Sequence, residues 1–326
     1  MTQNYPPLTP PSALLEMLHL ARRPLLIAHL APDGDAIGSL LATGLILHKM
    51  GKDPILACQD RIPATFRFLP NARLVTQDGS DGDIDVVVSL DSSDPTRMGD
   101  VYDAGRFSEL PLLVIDHHIT NVEFGSINWV ESKACATAEM IYYLAQALDT
   151  PLDPDLATCI LTGMVTDTRG FRTSNTTPRA MHIASALMAA GAQLNEITER
   201  TLNSRSYKLI QLWAHVLDTV QLRGDIISAN NTIAMRYDLD NITRADGVVS
   251  FILGAHEAKI AVVFTELPEG KIECSFRARP GNDVASVAFA LGGGGHPLAA
   301  GCTVEGALDD VRGQVFALLE QSATAR

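Results

Sequence analysis

The sequence predicts an α/β protein in two parts: an N-terminal, doubly wound, mostly parallel sheet, joined by a helical connector to a smaller α/β domain. Three observations predict it. Short apolar runs alternate with helix-length segments through the first part of the chain, the rhythm of parallel strands and crossover helices. From Asn195 to Leu222 the pattern turns helical and more polar, and a second set of strand and helix patterns follows. At 326 residues the chain suits about two domains. The expected boundaries are 1–195 for the first domain, 196–225 for the linker and 226–326 for the second.

The elements follow in order. Pro24 precedes Leu25-Leu26-Ile27-Ala28-His29, a buried strand, and the loop Ala31–Gly34 leads into a helix from Asp35 to Met50, closed by Gly51. Pro54–Cys58, Asp85–Asp91 and Pro111–Asp116 read as three more strands. Helices are expected over Thr137–Leu148, Asp155–Thr166 and Pro178–Ala190, the last with Thr177 as its cap and proline at its first position. In the second domain, strands are expected near Thr232–Tyr237, Ala258–Thr265 and Lys271–Arg277, with helices at Val248–Ala255, Val284–Leu291 and Leu308–Ser322.

Composition narrows the function classes. Hydrophobic residues make up 46% of the chain and charged residues 19%, ample for packed cores. No apolar run approaches the ~20 residues of a membrane span. The N-terminus lacks a basic region followed by an apolar core, so a cytoplasmic protein without membrane contact is expected. Five scattered cysteines without C-x-x-C spacing read as free thiols in a reducing compartment. The net charge of −13 and the absence of any Lys/Arg run argue against a grip on long nucleic acid. Phosphates that do bind are expected to be few, and held by metals and one or two arginines.

Chemistry concentrates at the strand ends. His29 closes the first strand, Asp91 the third, and Asp116-His117-His118 the fourth. In open α/β sheets ligands bind beyond the carboxyl ends of the strands. Asp33 and Asp35 lie on the loop after the first strand, and Asp167 ends an apolar helix. Taken singly, Asp-Gly-Asp would suit a turn, Asp-His-His a polar loop, and Asp167 a helix terminus. Their ordered occurrence favours one site. Two imidazoles and four carboxylates suit borderline divalent ions such as Mn²⁺. Six ligands are too many for one ion with an open position, and suit a pair sharing one carboxylate. In the second domain, Gly292–Gly295 and His296 read as a phosphate cradle in preference to a flexible linker, since glycine lets backbone N–H groups approach an anion. Arg277 is the nearest candidate for a bidentate phosphate contact.

Together, HLAPDGDAIGS, SLDSSDP, IDHHITN, CATAEMIYYL, TGMVTDTRGFRTSNTT, SFRAR and GGGGHPLAAG resemble the DHH phosphoesterase superfamily, in the branch with a DHH-associated C-terminal domain. The resemblance covers nearly the whole chain and points to the nanoRNase/pAp-phosphatase subgroup. It implies that His29 and Asp33 hold one Mn²⁺, that Asp35, His117 and Asp167 hold the other, and that Asp91 bridges. It implies that His118 lies near the scissile phosphate as donor or acid, oriented with His117 by Asp116. Arg277, Gly293, Gly294, Gly295 and His296 would bind the far phosphate or nucleotide. Three positions depart from the family pattern: Arg169 for Gly, Cys135 for Ser and Ala278 for Ser.

The expected function is two-metal hydrolysis of short oligoribonucleotides, pApA or 3'-phosphoadenosine 5'-phosphate. The alternatives are a cyclic dinucleotide (c-di-AMP) phosphodiesterase and, from a different class, an inactive nucleotide-binding protein. Metal ligands in the first domain and a glycine run in the second imply that substrate length is measured between them. The sequence leaves oligomeric state open, a homodimer included.

Overall fold

Three strands, apolar but for Ser89 and the terminal Asp116, set the architecture of the first part. In the computed structural model, which describes residues 5–79, 82–239 and 242–324, β1 (Pro24–Ala28), β3 (Val86–Leu90) and β4 (Leu112–Asp116) are buried at every position. Only a strand covered on both faces tolerates that. They form the middle of a five-stranded, all-parallel sheet in the order β2-β1-β3-β4-β5. The short strands β2 (Ile55–Ala57) and β5 (Ile127–Val130) make its edges.

Helices α1 (Ser12–Leu20), α2 (Gly34–Lys49), α4 (Thr137–Ala147) and α5 (Pro154–Asp167) share one apolar core with one face of this sheet. The second face is closed by shorter pieces: a 3₁₀ segment at Pro95–Val101 and α3 (Ala104–Phe107), over Leu25, Ile27, Val87 and Val114. Helix α2 is buried from Gly34 through Leu47, as its all-round apolar sequence demands. Its backbone meets α5 directly: a β-carbon on Gly38 would lie 2.6 Å from the Cys159 carbonyl oxygen. Helices α6 (Pro178–Ala189, capped by Thr177) and α7 (Leu194–Thr198) complete this part.

The chain divides into two compact units, Met1–Ser204 and Arg205–Arg326. The stretch expected to connect two domains is shared between them. Helix α7 and a π turn at Glu199–Asn203 belong to the first, and α8 (Tyr207–Leu217) and β6 (Gln221–Arg223) to the second.

The second unit is a six-stranded mixed sheet in the order β10-β11-β9-β8-β7-β6. Its remaining elements are β7 (Ile226–Asn231), α9 (Val248–Ile252), β8 (Ile260–Leu267), β9 (Lys271–Ala278), α10 (Ala285–Ala290), β10 (Gly294–His296), β11 (Ala299–Glu305) and α11 (Leu308–Thr324). Strand β9 alternates strictly. Ile272, Cys274, Phe276 and Ala278 enter the core with α10 and α11, so Glu273, Ser275 and Arg277 face the other way. On that other face α8 and α9 pack against Ala229, Ala261 and Val263 of β7 and β8.

The strand expected at Thr232–Tyr237 is not there. Ile226–Asn231 pairs with β8 instead, and the β-branched Thr232-Ile233 lead into a 3₁₀ turn at Ala234–Arg236. Arg236 fixes that turn by donating to the carbonyls of Asn231, Thr243 and Glu266. The glycine run is likewise a turn followed by an edge strand, and not an open loop: Gly294, Gly295 and His296 pair with Gly301, Ala300 and Ala299. A β-carbon on Gly293 would sit 2.2 Å from the Gly301 carbonyl oxygen, so glycine is required there by close packing alone.

Candidate metal centre

Register gathers the site. Ala28 pairs with Leu90, and Leu90 with Ile115, so the chain leaves three adjacent parallel strands at one sheet edge. His29 and Asp91 lie just beyond β1 and β3, Asp116 ends β4, and His117 and His118 follow it. Asp91 takes a left-handed conformation (φ 60°) while its N–H donates to the Ile115 carbonyl at 3.0 Å. Such backbone strain in a non-glycine residue costs about 1–3 kcal/mol and concentrates at functional positions.

From α2 come Asp33 and Asp35. Asp33 is the N-cap, accepting from the N–H groups of Asp35 and Ala36 at 3.0 and 3.1 Å. Asp35 is buried and accepts from the first N–H groups of α4, Thr137 at 2.6 Å and Ala138 at 2.9 Å. Helix α5 brings Asp167 alongside, because Gly34, Gly38 and Gly163 let the two helices touch.

The result is two histidine–carboxylate groups meeting at one residue. His29 Nε2 lies 3.8 Å from Asp33 Oδ1 and 3.7 Å from Asp91 Oδ2. His117 Nε2 lies 3.7 Å from Asp35 Oδ2, 3.8 Å from Asp91 Oδ1 and 3.7 Å from Asp167 Oδ2. These separations exceed hydrogen-bond length. They match neighbouring ligands of one small cation, each about 2.0–2.2 Å from it. Asp91 offers one oxygen to each group. Histidine–carboxylate sets able to hold an ion are Asp91/His117/His118, His29/Asp33/Asp91 and Asp35/His117/Asp167 among the described residues.

Supporting contacts orient the donors. His29 Nδ1 donates to the Leu30 carbonyl at 2.7 Å and His117 Nδ1 to the Ala134 carbonyl at 3.3 Å, which leaves each Nε2 with its lone pair toward the carboxylates. The buried Asp116 accepts from His118 Nδ1 at 2.7 Å, from the His117 N–H at 2.9 Å and from Asn121 Nδ2 at 2.6 Å. Its Oδ atoms are thus fully used inside the protein, consistent with holding the histidine pair in place.

The electrostatics ask for a cation. Burial, then the charges of Asp91, Asp167 and Asp33, push the Asp35 carboxyl well above its usual range. Burial also raises Asp167 to about 6, with Asp91 and Asp33 adding to it and His117 opposing. Burial pulls His29 down, but Asp33 and Asp91 outweigh it and raise the imidazole to about 10. The bond to Asp116 lifts His118 to about 9. Without an ion, protons must screen these carboxylates; a divalent cation does so without them.

The structure also shows partners that the sequence reading missed. The Thr137 hydroxyl donates to Asp91 Oδ1 at 2.7 Å, and the Arg97 guanidinium stands 3.0 Å from His29 Nδ1 as a neighbouring charge, since that nitrogen donates to Leu30. Glu139 and Arg179 form a buried pair: Glu139 accepts from Arg179 Nε and from the Cys135 N–H. That pair secures the loop whose Ala134 carbonyl orients His117. Thr137 and Glu139 lie inside CATAEM and Arg97 just after SLDSSDP, stretches whose motif character was visible although the individual roles were not.

The remaining candidates lie in the second unit. Arg277 lines a cavity of about 130 Å³ with Arg244, Gly247, Thr265, Glu273 and Ser275, and its Nη1 donates to the Phe276 carbonyl at 2.8 Å. Gly293 lines a second hollow, of about 360 Å³, which shares Glu273 and Ser275 with the first. Gly294, Gly295 and His296 are exposed on the edge strand.

No described helix is long and apolar enough to cross a membrane. The DHH family N-terminal domain matches residues 24–164, and the DHHA1 domain residues 238–322. The bifunctional oligoribonuclease and PAP phosphatase NrnA of Thermus thermophilus is 33% identical over 321 residues, covering 95% of this chain and 93% of that one. The protein of the same description from Bacillus subtilis is 26% identical, over 89% of this chain and 92% of its own. Among solved structures, an exopolyphosphatase-related protein from Bacteroides fragilis superposes with a TM-score of 0.88 at 23% identity, over 95% of both chains. That likeness is one of fold. With both domain matches in order and a full-length relative at this identity, the chain belongs to the DHH family, with a DHHA1 domain in its second half, and is a metal-dependent phosphoesterase.

Proposed function

We propose that the protein hydrolyses short oligoribonucleotides, pApA and 3'-phosphoadenosine 5'-phosphate at a pair of divalent ions, Mn²⁺ by preference. One observation carries the reading: the two oxygens of Asp91 face different histidines, Oδ2 toward His29 and Oδ1 toward His117. His29 and Asp33 would complete one metal position, and Asp35, His117 and Asp167 the other. Two ions so held would supply charge neutralisation at phosphorus and an activated water. The names of the relatives supply the substrate class.

The protein's own residues supply the rest. Asp116 accepts the Nδ1 proton of His118, so Nε2 is the nitrogen left for the substrate, as a donor to a phosphate oxygen or to the departing oxygen. Thr137 restrains the Asp91 carboxylate so that it does not swing toward one histidine alone. Arg277, with Gly293, Gly294, Gly295 and His296, would hold the substrate's other phosphate or its nucleotide, since these residues edge the sheet face that α10 and α11 leave uncovered. The five free, buried cysteines suit a reducing cytoplasm.

The test is a Mn²⁺-supplemented panel of pAp, pApA, c-di-AMP and RNA of increasing length, with metal content measured in parallel. Release of mononucleotide from pApA and phosphate from pAp, with two metals per chain, supports the reading. Turnover of c-di-AMP alone, or one metal per chain at full activity, would overturn it.

A further inference from the structure

A second concentration of positive charge lies outside the residues considered so far. After β2 the chain passes through two 3₁₀ turns, Ala64–Phe66 and Ala72–Leu74, and returns to the sheet at the Ala57–Thr76 bridge. This segment folds around a cavity of about 270 Å³. Arg61, Arg67 and Arg73 line it, with Ile62 and Ala72 as apolar wall. In a chain with 25 basic residues against 38 acidic ones, three arginines on one small cavity are a local inversion of sign.

None of the three is neutralised from within. Among the described residues no carboxylate forms an ion pair with them, and Arg67 is anchored through Nε, which donates to the Ile62 carbonyl at 3.1 Å. The one carboxylate in the lining, Asp60, accepts the Ala31 N–H at 2.7 Å. Three arginines lining one hollow bring like charges together, and an oxyanion relieves this by accepting from their planar, paired N–H donors.

The cavity is tied to the metal-ligand loop. Cys58 lines it and donates through Sγ to the His29 carbonyl at 3.4 Å, while Asp60 holds Ala31 midway between His29 and Asp33. From this we infer that Arg61, Arg67 and Arg73 form a phosphate-binding subsite of the first unit, distinct from the metal ligands and from Arg277. Its phosphate is either a further phosphodiester of an oligoribonucleotide held at the metals or a free phosphate group. The first source rests on the function proposed above; the second does not.

The test is the triple variant Arg61→Gln/Arg67→Gln/Arg73→Gln, in the full chain, with metal content and circular dichroism as controls. In the kinetic arm, KM is measured for pAp, pApA and RNA of five and eight nucleotides over a range of salt. If the substrate supplies the phosphate, KM for the longer RNAs rises at least tenfold and kcat holds, while KM for pAp stays within twofold. The salt dependence of log KM for these RNAs also flattens, by about 0.7 per lost phosphate contact on a single strand. In the binding arm, inorganic phosphate is titrated into the metal-free protein and followed by ³¹P line width. Broadening that the variant lacks, with unchanged RNA kinetics, assigns the subsite to a free phosphate. A variant equal to wild type in both arms overturns the inference, as does an equal rise of every KM with loss of metal. Should wild type hydrolyse none of the substrates, the proposed function fails, and the phosphate titration still decides the subsite.

Discussion

Gly163→Ala isolates the role of helix packing in building the metal centre. A β-carbon at this position would lie 2.5 Å from the Ala138 Cβ and 2.7 Å from Asp35 Oδ1. Carbon contacts are ordinarily about 3.5–4.0 Å, so one partner must retreat by about 1 Å. Alanine is the better helix former by about 1 kcal/mol, and overpacking costs about 1–3 kcal/mol. The net loss of stability is then about 0–2 kcal/mol. For a unit of this size each kcal/mol moves Tm by about 2–4 °C, which gives a drop of less than about 8 °C. The effect on function should be far larger, because the displaced group is one of the proposed metal ligands, and misplacing an active-site group by about 1 Å can cost about 100-fold. The assay is kcat/KM on pApA beside Tm and metal content. A cooperative, nearly wild-type melt with a 100-fold loss of activity is expected. Wild-type activity with full metal content would refute the claim that close α2–α5 contact sets the position of Asp35.

The remaining predictions follow from the same contacts. Asp91→Asn should abolish turnover and reduce bound metal, since a neutral amide cannot serve two cations; activity within a few-fold of wild type with two metals bound would sink the bridging assignment. Arg277→Ala should raise KM by roughly tenfold to a hundredfold, for about 1.5–3 kcal/mol of charge-assisted bonding, with metal content unchanged by elemental analysis. Glu139→Gln leaves Arg179, 8% exposed, without its counter-charge. Breaking a buried pair in this way costs about 3–5 kcal/mol, so thermal melts should show a Tm lower by about 6–20 °C, and isotherms should show weaker Mn²⁺ binding. Arg169→Gly should be neutral or stabilise the protein by up to about 1 kcal/mol. Arg169 has φ 50°, which costs a non-glycine residue about 1–2 kcal/mol, partly offset by the entropy glycine loses on folding; a clear fall in Tm would contradict this.

Much of the first unit was legible in the sequence because its signals are local. Leu25–Ala28, Val86–Leu90 and Leu112–Asp116 are buried on both faces, so each is an apolar run but for Ser89 and the terminal Asp116, and the residue that ends or follows each run is where the candidate ligands gather. The second unit was harder to read. Strand β11 (Ala299–Glu305) is built of Ala-Ala-Gly-Cys-Thr-Val-Glu, with weak β preference, and holds its place through pairing with β9 over its full length. Strand β10 is glycine at two of three positions, and of these only Gly295 is explained by close approach, to Ala299 and Ala300, since a β-carbon on Gly294 would meet nothing within 4 Å. The ionic and hydrogen-bonding support of the site escaped for a related reason. Glu139 and Arg179 are 40 residues apart, and Thr137 is 46 from Asp91, so neither pairing leaves a periodic trace.

Arg169 shows where sequence and structure inform each other. From sequence alone it departs from a pattern that has glycine at that place, beside Asp167. The structure shows why glycine would suit that place: Arg169, Gly170 and Phe171 have φ of 50°, 76° and 62°, three consecutive left-handed residues at the end of α5. Glycine suits such a turn because it has no β-carbon to clash. Here the turn is held by other means. The Gly170 N–H donates to the Val165 carbonyl at 2.7 Å and the Phe171 N–H to the Thr168 hydroxyl at 2.9 Å, while Arg172 Nε donates to the Arg169 carbonyl at 2.8 Å. The departure therefore loads strain onto a turn that its neighbours hold in place, and it leaves Asp167 at 3.7 Å from His117. A departure that keeps the backbone path keeps Asp167 in its place, so the expected consequence of Arg169 falls on stability before it falls on catalysis.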